Sequence, residues 1–369
     1  MVILFGGRLQ IMQQYMSSIF AMQLFLGGGI FFILIKKIGK TKRYRKYLNL
    51  TLISFLLALF NAFVIGNVGF KESLCTFLFF SNIAAVLLFV KINHLISKVL
   101  FWTVTIIFTT LLFSTQSLDD ILVNSRNYVS YYFILFLLPY VISCKHYKKE
   151  VSLQLVLVCV LYSFIAVGRG GIIISLLVLA GILFFKIYDK SKYRKLYITT
   201  LCIICIIVFI IGINPNTIEL LFGRFIDKNM DSEARTIGWL EYLSAMIEPI
   251  NFLLGVKITT LPYCYIELGE SLHNSYLSLH SRMGVFAFVC LIFIFKGFIR
   301  ILNDDKYVAI VLSALLIKAF VDTDFPFFYV GGDIYMYILL FNGILSKKTD
   351  GKSKSNRIVL TSISPNTRK

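Results

Sequence analysis

The stretch KKIGKTKRYRKYLNLTLISFLLALFNAFVIGNVGF, residues 36–70, decides the class of fold. It joins a cluster of seven lysines and arginines to a 23-residue run, Leu48–Phe70, without a charged side chain. A run of about 20 apolar residues is long enough for one helix to cross a hydrocarbon layer about 30 Å thick. The stretch therefore predicts a membrane-spanning helix that begins beside a basic loop.

Similar apolar blocks fill most of the 369 residues. The chain is 58% hydrophobic and 15% charged, with a mean hydropathy of +0.80, which is too apolar for a water-soluble globular protein. We predict an all-α, polytopic transmembrane bundle of about 11–12 helices. It forms a single domain over residues 1–345, followed by a disordered cytoplasmic tail over residues 346–369. Residues 1–18 are the candidate for a twelfth helix.

Eleven spans are predicted from the apolar blocks. They are Ile19–Ile35, Leu48–Phe70, Leu74–Val90, Leu95–Ser114, Tyr128–Cys144, Val151–Val167, Gly170–Ile187, Leu196–Ile213, Ser275–Phe295, Tyr307–Val321 and Phe327–Leu345.

The net charge of +18 reflects membrane topology rather than nucleic-acid binding. The connections alternate in basic content: one set carries 27 lysines and arginines, and the other set carries 8. Cytoplasmic loops are enriched in these residues. The bias places the C-terminus in the cytoplasm and the N-terminus outside. No nucleic-acid partner is expected.

The longest connection, residues 214–274, falls on the non-cytoplasmic side. A loop of this length in a compact protein is usually functional. Within it, Ser232 precedes apolar residues at helical spacing and Pro249 follows them, which predicts an amphipathic helix. The helix is expected to lie on the membrane surface or to cover a cavity. Its apolar residues are Ile237, Leu240, Leu243 and Ile247.

Two arginines on this side are candidate functional residues. Arg169 lies among glycines in AVGRGG, where a guanidinium either reaches out to water or binds phosphate oxygens in pairs. Arg235 lies in the loop helix, with Trp239 one turn later on the same face. The pair could present a cation and an aromatic surface together, or Arg235 could be a solvated surface residue.

His273 and Asn274, in ESLHNSYLSLHSRMG, lie where the loop is predicted to re-enter the membrane. A histidine titrates near neutral pH, so His273 could accept a proton from an attacking hydroxyl, or it could be a structural interfacial residue. His280 is expected to be structural. We expect Asp322 to pair with Lys318, one helical turn earlier.

No P-loop, HExxH, GxSxG or Rossmann glycine pattern is present, and the seven cysteines give no disulfide framework. Six of the cysteines fall within or at the edge of spans, and only Cys264 lies in an exposed loop. A metal site is not expected.

The order of these features resembles the O-antigen polymerase and ligase superfamily, over roughly Ser163–Asp324. The shared features are a long outer loop, an arginine with a tryptophan in its helix, the HNSYL motif entering the next span, and an earlier RGG at an outer junction. The resemblance implies a GT-C-like, metal-independent glycosyltransferase without a cofactor. It would act at the outer face of the bacterial inner membrane on undecaprenyl-diphosphate-linked glycans.

Carried over residue by residue, the resemblance implies that Arg169 and Arg235 hold the donor diphosphate and that His273 activates the acceptor hydroxyl. Asn274 and Trp239 are further candidates for substrate contact. Second choices are Glu270, Glu267, Arg282 and Asp324.

The leading function is polymerisation of lipid-linked repeat units into O-antigen or capsular polysaccharide. The alternatives are a ligase that transfers polymer to lipid A core and, from a different class, a lipid-linked sugar flippase or small-solute transporter. Beyond the lipid-linked glycan and membrane lipid, the candidate partners are a chain-length regulator and a flippase.

Overall fold

The computed structural model describes residues 16–114, 127–166, 169–189, 229–268, 271–322 and 331–345. Within these ranges every regular element is a helix, and no strand forms. A helix satisfies its backbone hydrogen bonds within one segment, as a lipid environment requires. Seven of the helices are long and apolar enough to cross a membrane, which is compatible with a multi-pass membrane protein.

The first half of the chain forms long helices joined by short connections. A π-helical turn, Thr76–Phe80, links α3 and α4 into one continuous helix. The helices are α1 Met16–Ile38, α2 Lys42–Val64, α3 Phe70–Cys75, α4 Ser81–Phe89, α5 His94–Ser114, α6 Asn127–Tyr147, α7 Leu153–Ile165 and α8 Arg169–Asp189.

The second half begins with short helices and a 3-10 turn, Ile258–Thr260, and then returns to long helices. Its helices are α9 Asn229–Met246, α10 Pro249–Leu254, α11 Pro262–Ile266, α12 Ser275–Met283, α13 Phe286–Asp304, α14 Lys306–Val321 and α15 Gly332–Ile344. The eighth predicted span, Leu196–Ile213, and the predicted tail over residues 346–369 lie outside the described residues.

The bundle has two distinct ends. At one end, here called the basic end, Lys145 near the end of α6 pairs with Asp304 at the end of α13. At the same end, Arg300 donates to the Asn342 carbonyl of α15 at 3.0 Å. The opposite end, here called the loop end, carries α9–α12. There the Asn61 amide of α2 donates to the Ser281 carbonyl at 3.0 Å.

Helix α6 lies in the interior of the bundle. Nearly all of its described side chains are buried, and its Phe133 ring stacks on Tyr162 of α7 with centroids 4.3 Å apart. α1, α2 and α13 instead expose many apolar side chains, which is the pattern of a lipid-facing helix. The central position of α6 lets α7, α8 and α14 pack around it.

The predicted bounds of the ninth span, Ser275–Phe295, are wrong. α12 ends at Met283 because Gly284 adopts φ +56°, a left-handed conformation that glycine tolerates, and a Cβ there would collide with the Leu253 carbonyl. The span that follows is α13, which runs to Asp304. The polar segment SYLSLHSRM therefore stays at the loop end.

The amphipathic loop helix forms, with different bounds. α9 begins at Asn229, so Ser232 lies inside the helix and the predicted cap is wrong. Pro249 follows the end of α9, as predicted, and occupies the first turn of α10.

Candidate functional site

The loop end contains a small core of its own. Its buried members are Tyr242, Val256, Ile258, Leu261, Cys264 and Leu272. The Glu241 carboxylate of α9 accepts from the backbone N–H groups of Tyr263 and Cys264, at 3.1 and 2.9 Å, at the start of α11. Burial, together with Glu241, raises the pKa of the Cys264 thiol to about 12, so this cysteine is protonated and is a poor nucleophile.

His280 links this small core to α10 through two hydrogen bonds. Its Nε2 lies 3.0 Å from the Phe252 carbonyl, and its Nδ1 lies 2.8 Å from the Tyr242 hydroxyl. A carbonyl only accepts, so Nε2 donates and Nδ1 accepts from Tyr242. Burial lowers the pKa of His280, which favours this neutral form. The position fits the structural role expected for His280.

Arg235 and Trp239 anchor α9 to two neighbouring segments. Nη1 of Arg235 donates to the Val321 carbonyl at the end of α14, at 3.0 Å. Nε1 of Trp239 donates to the Leu272 carbonyl at 2.6 Å, and its ring meets Phe320 edge-on with centroids 5.6 Å apart. Because the two anchors are one turn apart, they hold one face of α9 against both the His273 segment and the end of α14.

His273 lies against Asp322. Its Nδ1 is 3.8 Å from Asp322 Oδ1, and its side chain is 32% exposed whereas that of Asp322 is 7% exposed. The backbone of His273 adopts φ +44°, an uncommon left-handed conformation for a residue with a side chain. Strain of this kind persists where surrounding contacts impose it, and it is frequent at functional sites.

Lys318 contacts Asp322 on the side opposite His273, through the other carboxylate oxygen. Its ammonium contacts Asp322 Oδ2, which confirms the predicted pair. Burial alone would raise the pKa of the Asp322 carboxyl, but Lys318, with a smaller contribution from His273, outweighs burial and holds it well below its usual range. Asp322 is therefore a carboxylate at neutral pH, and it lies between the Lys318 ammonium and the His273 imidazole.

Asn274 caps helix α12. Its Oδ1 accepts from the backbone N–H groups of Tyr276 and Leu277, at 2.9 and 3.1 Å. Next to it, the Ser275 hydroxyl donates to the Asp322 carbonyl at 2.9 Å. These bonds fix the backbone that follows His273, and the bond from Trp239 to the Leu272 carbonyl holds the residue before it. The substrate contact expected of Asn274 stays a prediction.

Arg169 is the first residue of α8, and its side chain lies outside the described part of the structure. The following residue, Gly170, is close to Val321, since a Cβ on it would lie 3.7 Å from Val321 Cγ2. A Cβ on Gly171 would collide with Ser130 of α6. The glycines thus bring the start of α8 to the residue whose carbonyl binds Arg235.

The second-choice residues fall in different places. Glu267 is exposed at the end of α11, and Glu270 and Asp324 lie outside the described residues. Arg282 is buried at the end of α12. Burial lowers the pKa of its guanidinium, and the negative charges of Asp333 and Glu72 oppose that effect. Asp333 also accepts from Thr76 of the π-turn at 3.0 Å.

The link between Asp322 and His273 is the feature that the sequence did not reveal. The two residues are 49 positions apart, and only their predicted location on the same side of the membrane suggested a relationship. Among the described residues, no group of three or more histidine, cysteine, aspartate or glutamate side chains could hold a metal ion.

Comparisons with protein-family models, with curated proteins and with solved structures find no match to this chain. A functional proposal therefore has to start from the helical fold, from the seven membrane-length helices among the described residues and from the arrangement around Asp322.

Proposed function

We propose that the chain is a membrane glycosyltransferase that joins undecaprenyl-diphosphate-linked repeat units into O-antigen or capsular polysaccharide. The observation that carries the proposal is the meeting of His273 and Arg235 at adjacent residues, Asp322 and Val321, at the end of α14. An imidazole and a guanidinium held at adjacent backbone positions can act on the same reaction. The imidazole would act on the acceptor hydroxyl, and the guanidinium on the diphosphate leaving group.

In the proposed reaction, the acceptor hydroxyl gives its proton to Nε2 of His273 while its oxygen attacks the anomeric carbon of the donor sugar. The bond from that carbon to the diphosphate oxygen breaks, and the lipid diphosphate leaves with the electron pair. Asp322, on the Nδ1 side, orients the imidazole and stabilises the imidazolium. The 3.8 Å separation is longer than a hydrogen bond, and catalytic contacts of this kind often tighten only when substrate binds.

Arg235 supports the leaving group. Negative charge builds on the diphosphate as the bond breaks, and a guanidinium held in advance stabilises that charge without reorganisation. Loss of one such donor typically costs about 10²–10³ in rate. Arg169 is the proposed second cation, and support for it comes from the position of the start of α8 beside Val321. The residues supply this chemistry without a metal ion.

The proposal includes a GT-C-like arrangement in the bacterial inner membrane, with the loop end outside and the C-terminus in the cytoplasm. The support is the excess of lysine and arginine in alternate connections, 27 against 8, and the position of Lys36, Lys145 and Lys186 in the last turns of their helices. A lipid diphosphate that has been moved to the outer leaflet would then face the site.

Deletion of this chain in its host, followed by complementation, tests the proposal. Loss of a polymerase leaves single repeat units on the final acceptor, and the chain restores long polymer. A ligase would instead leave long chains on the lipid diphosphate, and a flippase would leave lipid-linked units inaccessible from outside. His273→Ala should fail to complement, whereas His94→Ala, at the basic end, should complement. Complementation by His273→Ala would overturn the catalytic assignment.

A further inference from the structure

The loop end exposes an apolar surface that no described residue covers. It is formed by α9 and α10, and its most exposed member, Ile247, is 82% accessible. The surface, here called the α9–α10 apolar surface, comprises Leu240, Leu243, Ile247, Ile250 and Leu253.

The opposite face of α9 is already occupied. Tyr242 is buried in the small core, Gly238 accepts from Cys264, and Trp239 binds the Leu272 carbonyl. These contacts fix the rotation of the helix about its axis. α9 therefore turns its aromatic and charged face toward His273, and its aliphatic face away from the protein.

The α9–α10 apolar surface continues into the exposed face of a membrane-length helix. The Val285 N–H, just before α13, donates to the Leu253 carbonyl at 3.1 Å, and the Phe252 ring stacks on Phe288 with centroids 5.6 Å apart. Beyond Phe288, Val289 and Ile292 of α13 are also exposed. The two apolar surfaces thus meet at contacts made by a backbone hydrogen bond and by two aromatic rings.

We propose that the acyl chains of the bilayer cover the α9–α10 apolar surface, so that α9 and α10 form an interfacial element embedded beside α13. Lipid is the occupant because the surface is continuous with α13, whose exposed face needs lipid around it. Aliphatic side chains on one face and polar contacts on the other are typical of helices that lie in the membrane interface. Arg235 and Trp239 are then held at the level of the lipid headgroups. This inference depends on the membrane assignment and not on glycosyl transfer.

Spin-label accessibility in vesicles tests the proposal. Leu240→Cys, Ile247→Cys and Ile250→Cys are made in separate full-length variants, spin-labelled, and reconstituted at a high lipid-to-protein ratio. The signal from the seven native cysteines is subtracted with the unsubstituted chain, labelled in the same way. Oxygen partitions into acyl chains, whereas nickel ethylenediaminediacetate stays in water. The two references are Thr260, exposed on the 3-10 turn, and Ile292 of α13.

The expected result is high oxygen accessibility and low nickel accessibility at all three positions. Both values should be close to those measured at Ile292, and the reverse pattern is expected at Thr260. High nickel accessibility would show a water-exposed surface and overturn the proposal. Low accessibility to both reagents would show that protein covers the surface, a second copy or another partner, and would also overturn it. Three positions, one on α9, one on α10 and one in the turn between them, keep the test decisive if one variant fails to insert.

Discussion

His273 and Asp322 lie 3.8 Å apart, Nδ1 to Oδ1, although 49 residues separate them in the chain. The other carboxylate oxygen contacts Lys318, and the carbonyl of Val321, one residue earlier, binds Arg235. Every group in this arrangement is fixed by a contact to the end of α14. That end is therefore the reference point from which the candidate site is built.

The first prediction concerns Asp322→Asn. We expect kcat to fall by about 10² while KM changes little, because the amide neither stabilises an imidazolium nor orients the ring as the carboxylate does. The measurement is steady-state polymerisation by the purified protein in vesicles. Asp322→Glu should restore part of the rate.

A purely structural role for Asp322 predicts a different outcome. In that case Lys318→Met, which breaks the same ion pair and keeps the carboxylate, would lose as much activity as Asp322→Asn at a temperature where both remain folded. Equal losses would remove Asp322 from the reaction.

The second prediction concerns the free energy of unfolding. The side chain of Lys318 is 2% exposed and that of Asp322 is 7% exposed, so Lys318→Met leaves a buried carboxylate without its main counter-charge. Removal of one partner of a buried ion pair costs about 3–5 kcal/mol. Thermal unfolding in detergent should show this loss, and the double variant Lys318→Met with Asp322→Leu should recover much of it. A single variant as stable as the unsubstituted chain would show that the pair contributes little.

The third prediction concerns Arg235→Lys. A guanidinium can keep its bond to the Val321 carbonyl and still present a second N–H to a phosphate, whereas an ammonium is a single point of contact. We expect this conservative change to lower kcat/KM by about tenfold or more. Arg45→Lys is the matched control, because Arg45 also donates to a backbone carbonyl, that of Gly39, but near the basic end. Equal effects of the two substitutions would contradict a role for Arg235 in substrate binding.

The sequence was sufficient for the helical class, the alternation of basic connections and the Lys318–Asp322 pair, because each depends on local composition or on i, i+4 spacing. The capping role of Asn274 was not predicted, although asparagine is a preferred N-cap residue. The end of α12 at Gly284 was not predicted, because it depends on how closely the Leu253 carbonyl approaches. The His273–Asp322 contact depends on the packing of α9, α12 and α14, and no local pattern encodes it.

The fourth prediction concerns pH. The folded-state pKa of His280 lies below its ordinary value of 6.5, so the unfolded chain binds the proton more readily. The contribution of His280 to stability is full above about pH 6.5 and declines as the pH falls toward its folded pKa. Asp322, with a lowered pKa, loses its contribution only at pH values below about 4.

We therefore expect the melting temperature in detergent to fall between about pH 7.5 and about pH 5.5. The fall should be smaller in His280→Gln, whose amide can donate to Phe252 and accept from Tyr242 without titrating. Comparison of the two chains isolates His280 from the other histidines. An identical pH response would show that His280 does not titrate in this range.

The most direct test of the central claim is polymerisation in vesicles that contain only the purified chain and a lipid-diphosphate-linked repeat unit. The account predicts polymer from the unsubstituted chain and from His94→Ala, and a rate lower by at least about 10² from correctly inserted His273→Ala. Polymer formed by His273→Ala at the rate of the unsubstituted chain would contradict the claim that His273, Asp322 and Arg235 form the reaction centre.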